Sequence, residues 1–330
     1  MKVALAEAAR SSLASLKEYG RNSFSSCLLY DDVRHYRCTR TEGFVGYLQM
    51  PAVLVVMGEP VCPPCDYRLA ADEFIAFAEA RGCSVVFIAV GDPFTEAMRD
   101  RHPTLLVLGE DMVFDVQRYA PRGDGAKKVR SAVNQLARRG GRVREYRPAE
   151  RRDECLERAL TRVATDWLRA HSRFQMHFLS LDMFRLAELK RYFYLEVDER
   201  PVAFLCCLPI FARRGYLFED LVREPGAPRG SSETLVLEAI RTFRREGASM
   251  ATFGLSPRLG LNGSSNLSRF GRGLVQAAMT AATRLSHLDR LYHSRKKFHT
   301  GIAERCYLLK YPAGIRAREV AGVLRAFHLS

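Results

Sequence analysis

The sequence predicts a mixed α/β (α+β) chain made of two copies of one strand–turn–helix–strand unit, each a sheet flanked by helices. Three observations predict it. Segments rich in β-branched and aromatic residues alternate with amphipathic stretches along the chain. Residues 58–90 and 223–255 both open on Glu-Pro, carry a helix pattern and close on a Gly followed by a strand. In each copy, 22 positions separate the proline from that glycine, Pro60 from Gly82 and Pro225 from Gly247. Finally, 330 residues with 47% hydrophobic content are enough for a large core without disulfide or metal staples.

Taken in order, the N-terminal MKVALAEAARSSLASLKEYG sets Glu7 inside an apolar pattern and reads as an amphipathic helix, not as a signal peptide. FSSCLLY, GFVGYLQM, AVLVVMG, CSVVFIAV and TLLVLGED read as strands, with helices over Asp66–Arg81 and Pro93–Arg101. After a basic segment the pattern restarts. A helix is expected over about Arg151–His171, then RYFYLEVDERPVAFLCCLPIF and RGYLFEDLV in the manner of a two-strand hairpin, a helix over about Gly230–Glu246 and the strand SMATFGL. The expected division is an N-terminal half over 1–117, a basic linker or helix over 118–150 and a C-terminal half over 151–330.

The longest uncharged apolar stretches, such as Ala203–Ala212, fall well short of the roughly 20 residues that a membrane span needs. The expectation is a cytoplasmic protein without a transmembrane segment, peripheral contact with a membrane being left open. Nine cysteines without a secretory signal read as reduced core residues. Cys62-Pro-Pro-Cys65 has the spacing of a metal or redox pair, but no second pair accompanies it, so no metal is expected. The net charge is +14, carried by 43 Arg and 8 Lys. From Arg118 to Arg152 there are 12 basic and 3 acidic residues. Part of this reflects a general preference for arginine, and a solvated helix face would account for a run of this kind. The local density suits a polyanion such as RNA or an anionic surface.

The turn FEDLVREPGAPRGSSETLVLEAI runs from a strand through Arg229-Gly230 into a long amphipathic helix. That order resembles the phosphate loop of the GNAT acyltransferase superfamily, in which backbone N–H groups at a helix start meet a pyrophosphate. Ser231, Ser232 and Glu233 stand where further glycines would let the backbone close on a phosphate, and a glutamate adds negative charge beside it. The first copy lacks the Arg-Gly pair as well. Coenzyme A is therefore not expected as a cofactor in either half.

Over roughly Glu18–Pro312 the chain resembles the C-terminal catalytic domain of the phosphatidylglycerol lysyltransferases, the multiple peptide resistance factors. The resemblance is carried in order by YGRNSFS, MGEPV, EFIAFAEARG, LGEDMVFDV, GAKKVRSAVN, LARRGGRV, FEDLVREPGAP, FGLSP, RKKFH and ERCYLLKYP. It implies two tandem GNAT-like folds, the second holding most of the active site. It also implies transfer of an amino acid from aminoacyl-tRNA to a lipid head-group hydroxyl or, as in some relatives, to a small amine or hydroxyl compound. Partners would be aminoacyl-tRNA and that lipid or small-molecule acceptor.

Such an ester is already activated, so the protein has to position, take a proton and stabilise an oxyanion. The resemblance implies catalytic roles for Asp220 and Arg223 in FEDLVR and for Lys297 and Arg305 in RKKFH and ERCYL. An internal Asp–Arg ion pair is the plainer reading of the first two. Gly254, Ser256 and Pro257 match a turn that shapes the aminoacyl pocket, and Glu233 and His293 are grouped with it as substrate-binding. His293 and His299 are each as readily structural as basic. Lys127, Lys128, Arg130, Arg138, Arg139 and Arg142 are expected to track the tRNA acceptor stem through phosphate contacts. Two readings stay open beside this one: an acyl-CoA N-acyltransferase, and a non-catalytic module binding RNA or an anionic surface.

Overall fold

The computed structural model describes residues 7–124, 126–171, 183–258, 264–286 and 288–326. Its helices are α1 (Glu7–Tyr19), α2 (Tyr67–Glu79), α3 (Asp92–Ala97), α4 (Lys127–Arg138), α5 (Glu154–His171), α6 (Ser231–Arg245), α7 (Arg269–Ser286), α8 (Leu288–Lys296) and α9 (Ala317–Ala326). Its strands are β1 (Arg34–Arg37), β2 (Phe44–Met50), β3 (Val53–Met57), β4 (Ser84–Val90), β5 (Thr104–Asp115), β6 (Arg142–Tyr146), β7 (Arg191–Val197), β8 (Arg200–Ile210), β9 (Gly215–Arg223), β10 (Met250–Pro257) and β11 (Gly301–Tyr311). The strands form one mixed sheet in the order β1-β2-β3-β4-β11-β5-β10-β9-β8-β7-β6. This is the α+β class that the alternation of patterns predicts.

The two punctuated stretches are the two parallel crossovers of this sheet. β3 runs through α2 into β4, and β9 through α6 into β10, each pair parallel. Their continuations are exchanged. β11, the last strand, pairs antiparallel with β4, while β5 pairs antiparallel with β10, and β5 and β11 lie side by side between them. Burial follows: β4 is buried at all seven positions, as a central strand covered on both faces should be.

On one face, α2 and α3 cover a core with Phe74, Phe87 and Phe94, and α4 and α6 cover another with Phe114, Phe193, Phe218 and Phe243. On the other face α5 packs over Tyr192, Phe204 and Cys206, and α9 lies near β2 and β3. The basic segment is built into the second core. Val129 and Leu136 of α4 are buried there, and β6 adds to β7 as an edge strand.

One predicted strand is absent. Ser25–Leu29 within FSSCLLY is a 3-10 helix with all five residues buried. A continuous apolar run marks burial and does not by itself specify extended backbone. Among the described residues no helix is long and apolar enough to cross a membrane.

Candidate functional site at the parallel strands of the second half

The two parallel pairs differ in one respect that positions the site. β3 and β4 stay paired over five residues, from Val53 opposite Ser84 to Met57 opposite Ile88. β9 and β10 pair only from Gly215–Leu217 to Met250–Thr252, and both strands then run on, to Arg223 and to Pro257, without laddering to each other. Register shifts flank this opening, between Cys206 and Cys207 on β8 and between Thr252 and Leu255 on β10. The second shift sits at Gly254, whose φ is +69° and whose added Cβ would come within 2.8 Å of the Phe24 ring. Only glycine fits there. An opening at the carboxyl ends of parallel strands is where open α/β sheets take ligands.

The shift on β8 leaves Glu219 unpaired in the ladder, and it sets two consecutive carboxylates beside one sulfur. Donor atoms of Cys206, Glu219 and Asp220 lie within 4.8 Å of one another. Lys190 Nζ pairs with Glu219 at 3.1 Å and also donates to Met183 O at 3.2 Å, while the Tyr30 hydroxyl donates to Glu219 Oε1. Burial, followed by the charge of Glu219, pushes the Asp220 carboxyl well above the usual range, with Lys190 opposing. Burial disfavours the Lys190 ammonium, but Glu219, Cys206 and Asp220 together outweigh it and raise its pKa above the ordinary lysine value. The cluster thus sets the Lys190–Glu219 ion pair beside a second carboxyl whose ionised form burial disfavours. The same three ligand atoms are of metal-binding type, but Lys190 already fills the cation's place, so the chain's own chemistry argues for an acid–base cluster.

Asp220 and Arg223 are not brought together. Asp220 lies opposite Cys206 in the core under α5, whereas Arg223 lies opposite Ala203, which belongs to the core under α6. With no further shift between them the two side chains leave opposite faces of β9, and Arg223 is exposed at the strand end. The internal Asp–Arg ion pair therefore does not form.

A second cluster follows along β5 and β10. Asp111, opposite Glu304 of β11, receives the Thr252 hydroxyl, and burial raises its carboxyl, with Thr252 and Ser23 as hydrogen-bond partners lowering it in part. Arg213 binds Glu304 through two hydrogen bonds of 2.6 and 2.8 Å. Arg295 donates to Leu255 O at 2.7 Å and to Ser256 Oγ at 3.2 Å, and burial brings its pKa down to about 10. Ser256 is itself fully buried, and with Pro257 it lies within β10 opposite Glu110 and Gly109 of β5, so Gly254, Ser256 and Pro257 belong to a strand with a register shift and not to the expected turn.

Lys297 and Glu233 meet at 2.8 Å in the first turn of α6, the place a pyrophosphate would need. Gly230, at φ +96°, packs so closely on α4 that an added Cβ would stand 2.4 Å from Ala132 O. The turn is therefore filled by an ion pair and by a helix. Arg305 is exposed on β11 opposite Glu110, two positions from Tyr307, whose hydroxyl donates to Asp92 at 2.7 Å. His293 and His299 are both exposed, the latter in left-handed backbone at φ +49°.

Lys127, Lys128 and Arg138 on α4, Arg139 just after it and Arg142 on β6 are exposed. Arg130 departs from the expected track: its Nη1 is spent on the carbonyls of Pro121 and Gly123, at 2.8 and 2.7 Å, and it fastens the loop before α4. Residues missed in the sequence reading are Lys190, Glu219, Tyr30, Asp111 and Arg295. Glu219 had a visible signal, as the neighbour of Asp220 in FEDLVR. Asp111 and Arg295 lie within the motifs LGEDMVFDV and RKKFH, whereas Lys190 and Tyr30 come from distant segments and had none.

A family model described as phosphatidylglycerol lysyltransferase, C-terminal, matches residues 13–310. The chain belongs to this family. Family members of similar sequence include a phosphatidylglycerol lysyltransferase of Bacillus subtilis, 24% identical over 247 residues covering 74% of this chain and 28% of that protein. Another is the lysylphosphatidylglycerol biosynthesis bifunctional protein LysX of Nocardia farcinica, 23% identical over 266 residues, 78% of this chain and 23% of that protein. The chain thus spans about a quarter of the length of these curated relatives. In fold the family member L-PGS of Bacillus licheniformis superposes with a TM-score of 0.78 at 19% identity, over 97% of both chains. FemX superposes with a TM-score of 0.52 at 9% identity, over 78% of this chain and 89% of that one.

Proposed function

We propose that the chain moves an amino acid from aminoacyl-tRNA to a polar acceptor. The finer reading is a lysyl group passed to a head-group hydroxyl of phosphatidylglycerol. Family membership supports the class of reaction, and one observation carries the placement: the Lys190, Glu219 and Asp220 cluster beside the opening between β9 and β10. The division into halves over 1–117 and 151–330 with a basic connection over 118–150 belongs to the same proposal, the second half doing the chemistry.

In this reading the acceptor oxygen attacks the ester carbonyl carbon, and the bond from that carbon to the ribose oxygen of the tRNA breaks. The acceptor's proton ends on the departing ribose oxygen, so nothing is consumed beyond the two substrates. Two adjacent carboxyl groups suit that transfer, and positioned acid–base groups of this kind contribute roughly 10²–10⁴-fold. The charge balance adds a requirement. Burial and Glu219 disfavour the ionised Asp220, and a further cation beside it, such as the free ammonium of the aminoacyl ester, favours it. Arg223, on the other face, is left to phosphate or carbonyl contacts outside the cluster. The exposed cations of α4 and β6 hold the acceptor stem by its phosphates.

An acyl-CoA reaction is disfavoured by the Lys297–Glu233 pair in the first turn of α6. The test is incubation with labelled aminoacyl-tRNAs together with phosphatidylglycerol vesicles or candidate amines. RNase-sensitive label in the acceptor supports the proposal. Transfer from acetyl-CoA without tRNA would replace it with the rival enzyme, and absence of any transfer would favour a binding module.

A further inference from the structure

On the face of the sheet that carries α5, an apolar cavity of about 150 Å³ lies between α7, α9 and the strands β4, β5 and β11. Its walls include Val275, Ala278 and Met279 of α7, Val323 and Leu324 of α9, and Leu106 and Leu308 of the sheet. It is partly open to solvent. A dry cavity of about this volume accepts a benzene-sized guest, which is also room for the last few methylenes of an alkyl chain.

The surroundings say what such a guest would be attached to. Phe270, in the first turn of α7, is 74% exposed, the larger of two exposed big hydrophobic side chains among the described residues. Arg269 and Arg272 flank it, and Arg318 and Arg325 are exposed on α9. α7 contains no acidic residue, and the only one of α9, Glu319, is buried against Lys310 at 3.1 Å. From Arg269 to Arg325 the sequence holds 12 basic and 3 acidic residues, the same excess as in the segment around α4. An exposed aromatic between arginines, on a helix otherwise rich in Ala and Gly, is the composition of a helix that lies in a lipid interface. A second copy of the chain docking by this face would set arginine against arginine.

We propose that the α7–α9 face seats on an anionic phospholipid bilayer, with the end of one acyl chain entering the cavity. The idea deepens the reading of a lipid acceptor and rests on that reading for its choice of lipid. It also separates the two polyanions: α4 lies over the opposite face of the sheet, so RNA and membrane need not compete for one surface.

Flotation of the full chain with vesicles tests this without any transfer reaction. The chain is expected to float with vesicles of mixed phosphatidylglycerol and phosphatidylcholine, to stay down with phosphatidylcholine alone, and to be released by salt. Phe270→Ser combined with Arg269→Glu and Arg272→Glu should cut the bound fraction about tenfold or more. All three side chains are exposed, so folding is not at stake. Ala278→Phe, which fills the cavity, should weaken binding by a smaller factor, and Lys127→Glu with Lys128→Glu should leave it unchanged. No flotation of the wild type, or equal loss from the α4 variant, overturns the proposal, and an Ala278→Phe chain that binds as wild type removes the acyl chain from it. A chain that floats yet transfers nothing from any aminoacyl-tRNA contradicts the proposed function and leaves this inference standing.

Discussion

Lys190 and Glu219 form an ion pair of 3.1 Å with 3% and 2% of their side chains exposed, and Asp220 lies beside them with no salt bridge of its own among the described residues. Removing one partner of such a pair strands the other. Lys190→Met should therefore destabilise the fold by about 3–5 kcal/mol. The double variant Lys190→Met with Glu219→Gln should cost less than the sum of the two single changes. Urea unfolding of the three variants and the wild type measures this as a double-mutant cycle.

The same cluster makes stability depend on pH. Asp220 and Asp111 both have folded-state carboxyl pKa values raised by burial. A group whose pKa is higher in the folded state stabilises most fully when the unfolded carboxyl is also protonated, and that contribution fades as pH rises toward the folded value. The Asp220→Asn variant lacks this term. Relative to it, the wild type should lose stability as pH is raised from about 4, the ordinary aspartate range, toward neutrality. Denaturation midpoints of both proteins across that window check the sign, and a wild type that gains on the variant with rising pH would be the opposite result.

Gly254 carries the bend that opens β10. An alanine there takes a left-handed backbone at φ +69° and sets a methyl 2.8 Å from Phe24. Gly254→Ala should cost about 1–3 kcal/mol, and it should lower transfer by closing or shifting the opening. Unfolding and activity measured on the same preparation separate the two effects.

On α4 the exposed lysines and the spent arginine should behave differently. Lys127→Glu with Lys128→Glu should weaken binding of tRNA regardless of its sequence and flatten the dependence of affinity on salt, by about 0.7–0.9 for each phosphate no longer neutralised. Arg130→Gln frees the carbonyls of Pro121 and Gly123, so it should cost about 1 kcal/mol of stability and leave the salt slope unchanged. Filter binding at several salt concentrations reads both.

How much of this was legible in the residues varies with distance along the chain. The two crossovers were legible because their punctuation is local: a proline before the helix and a glycine after it, 22 positions apart in both copies. The exchange of β5 and β11 was not, since nothing in either strand says which fourth strand it will join. FSSCLLY misled because burial and extension give the same apolar run. In the candidate site, Asp220 and Arg223 stand three apart, which a regular strand sends to opposite faces; alternation alone, applied strictly, separates them. Lys190 could not be found at all, because its partner is 29 positions away and the shift between Cys206 and Cys207 that turns Glu219 toward it leaves no mark in composition.

The central claim is that the carboxyl pair beside the opening of β9 and β10 moves the proton in the transfer. It is tested most directly by the single-turnover rate of label transfer from aminoacyl-tRNA to acceptor, wild type against Asp220→Asn, at saturating tRNA. Asparagine keeps the shape and brings in no charge, so folding and tRNA affinity should hold while the rate falls by roughly 10²-fold or more. An Asp220→Asn chain that transfers within about twofold of wild type, a loss far below the range expected of an acid–base group, would contradict the account.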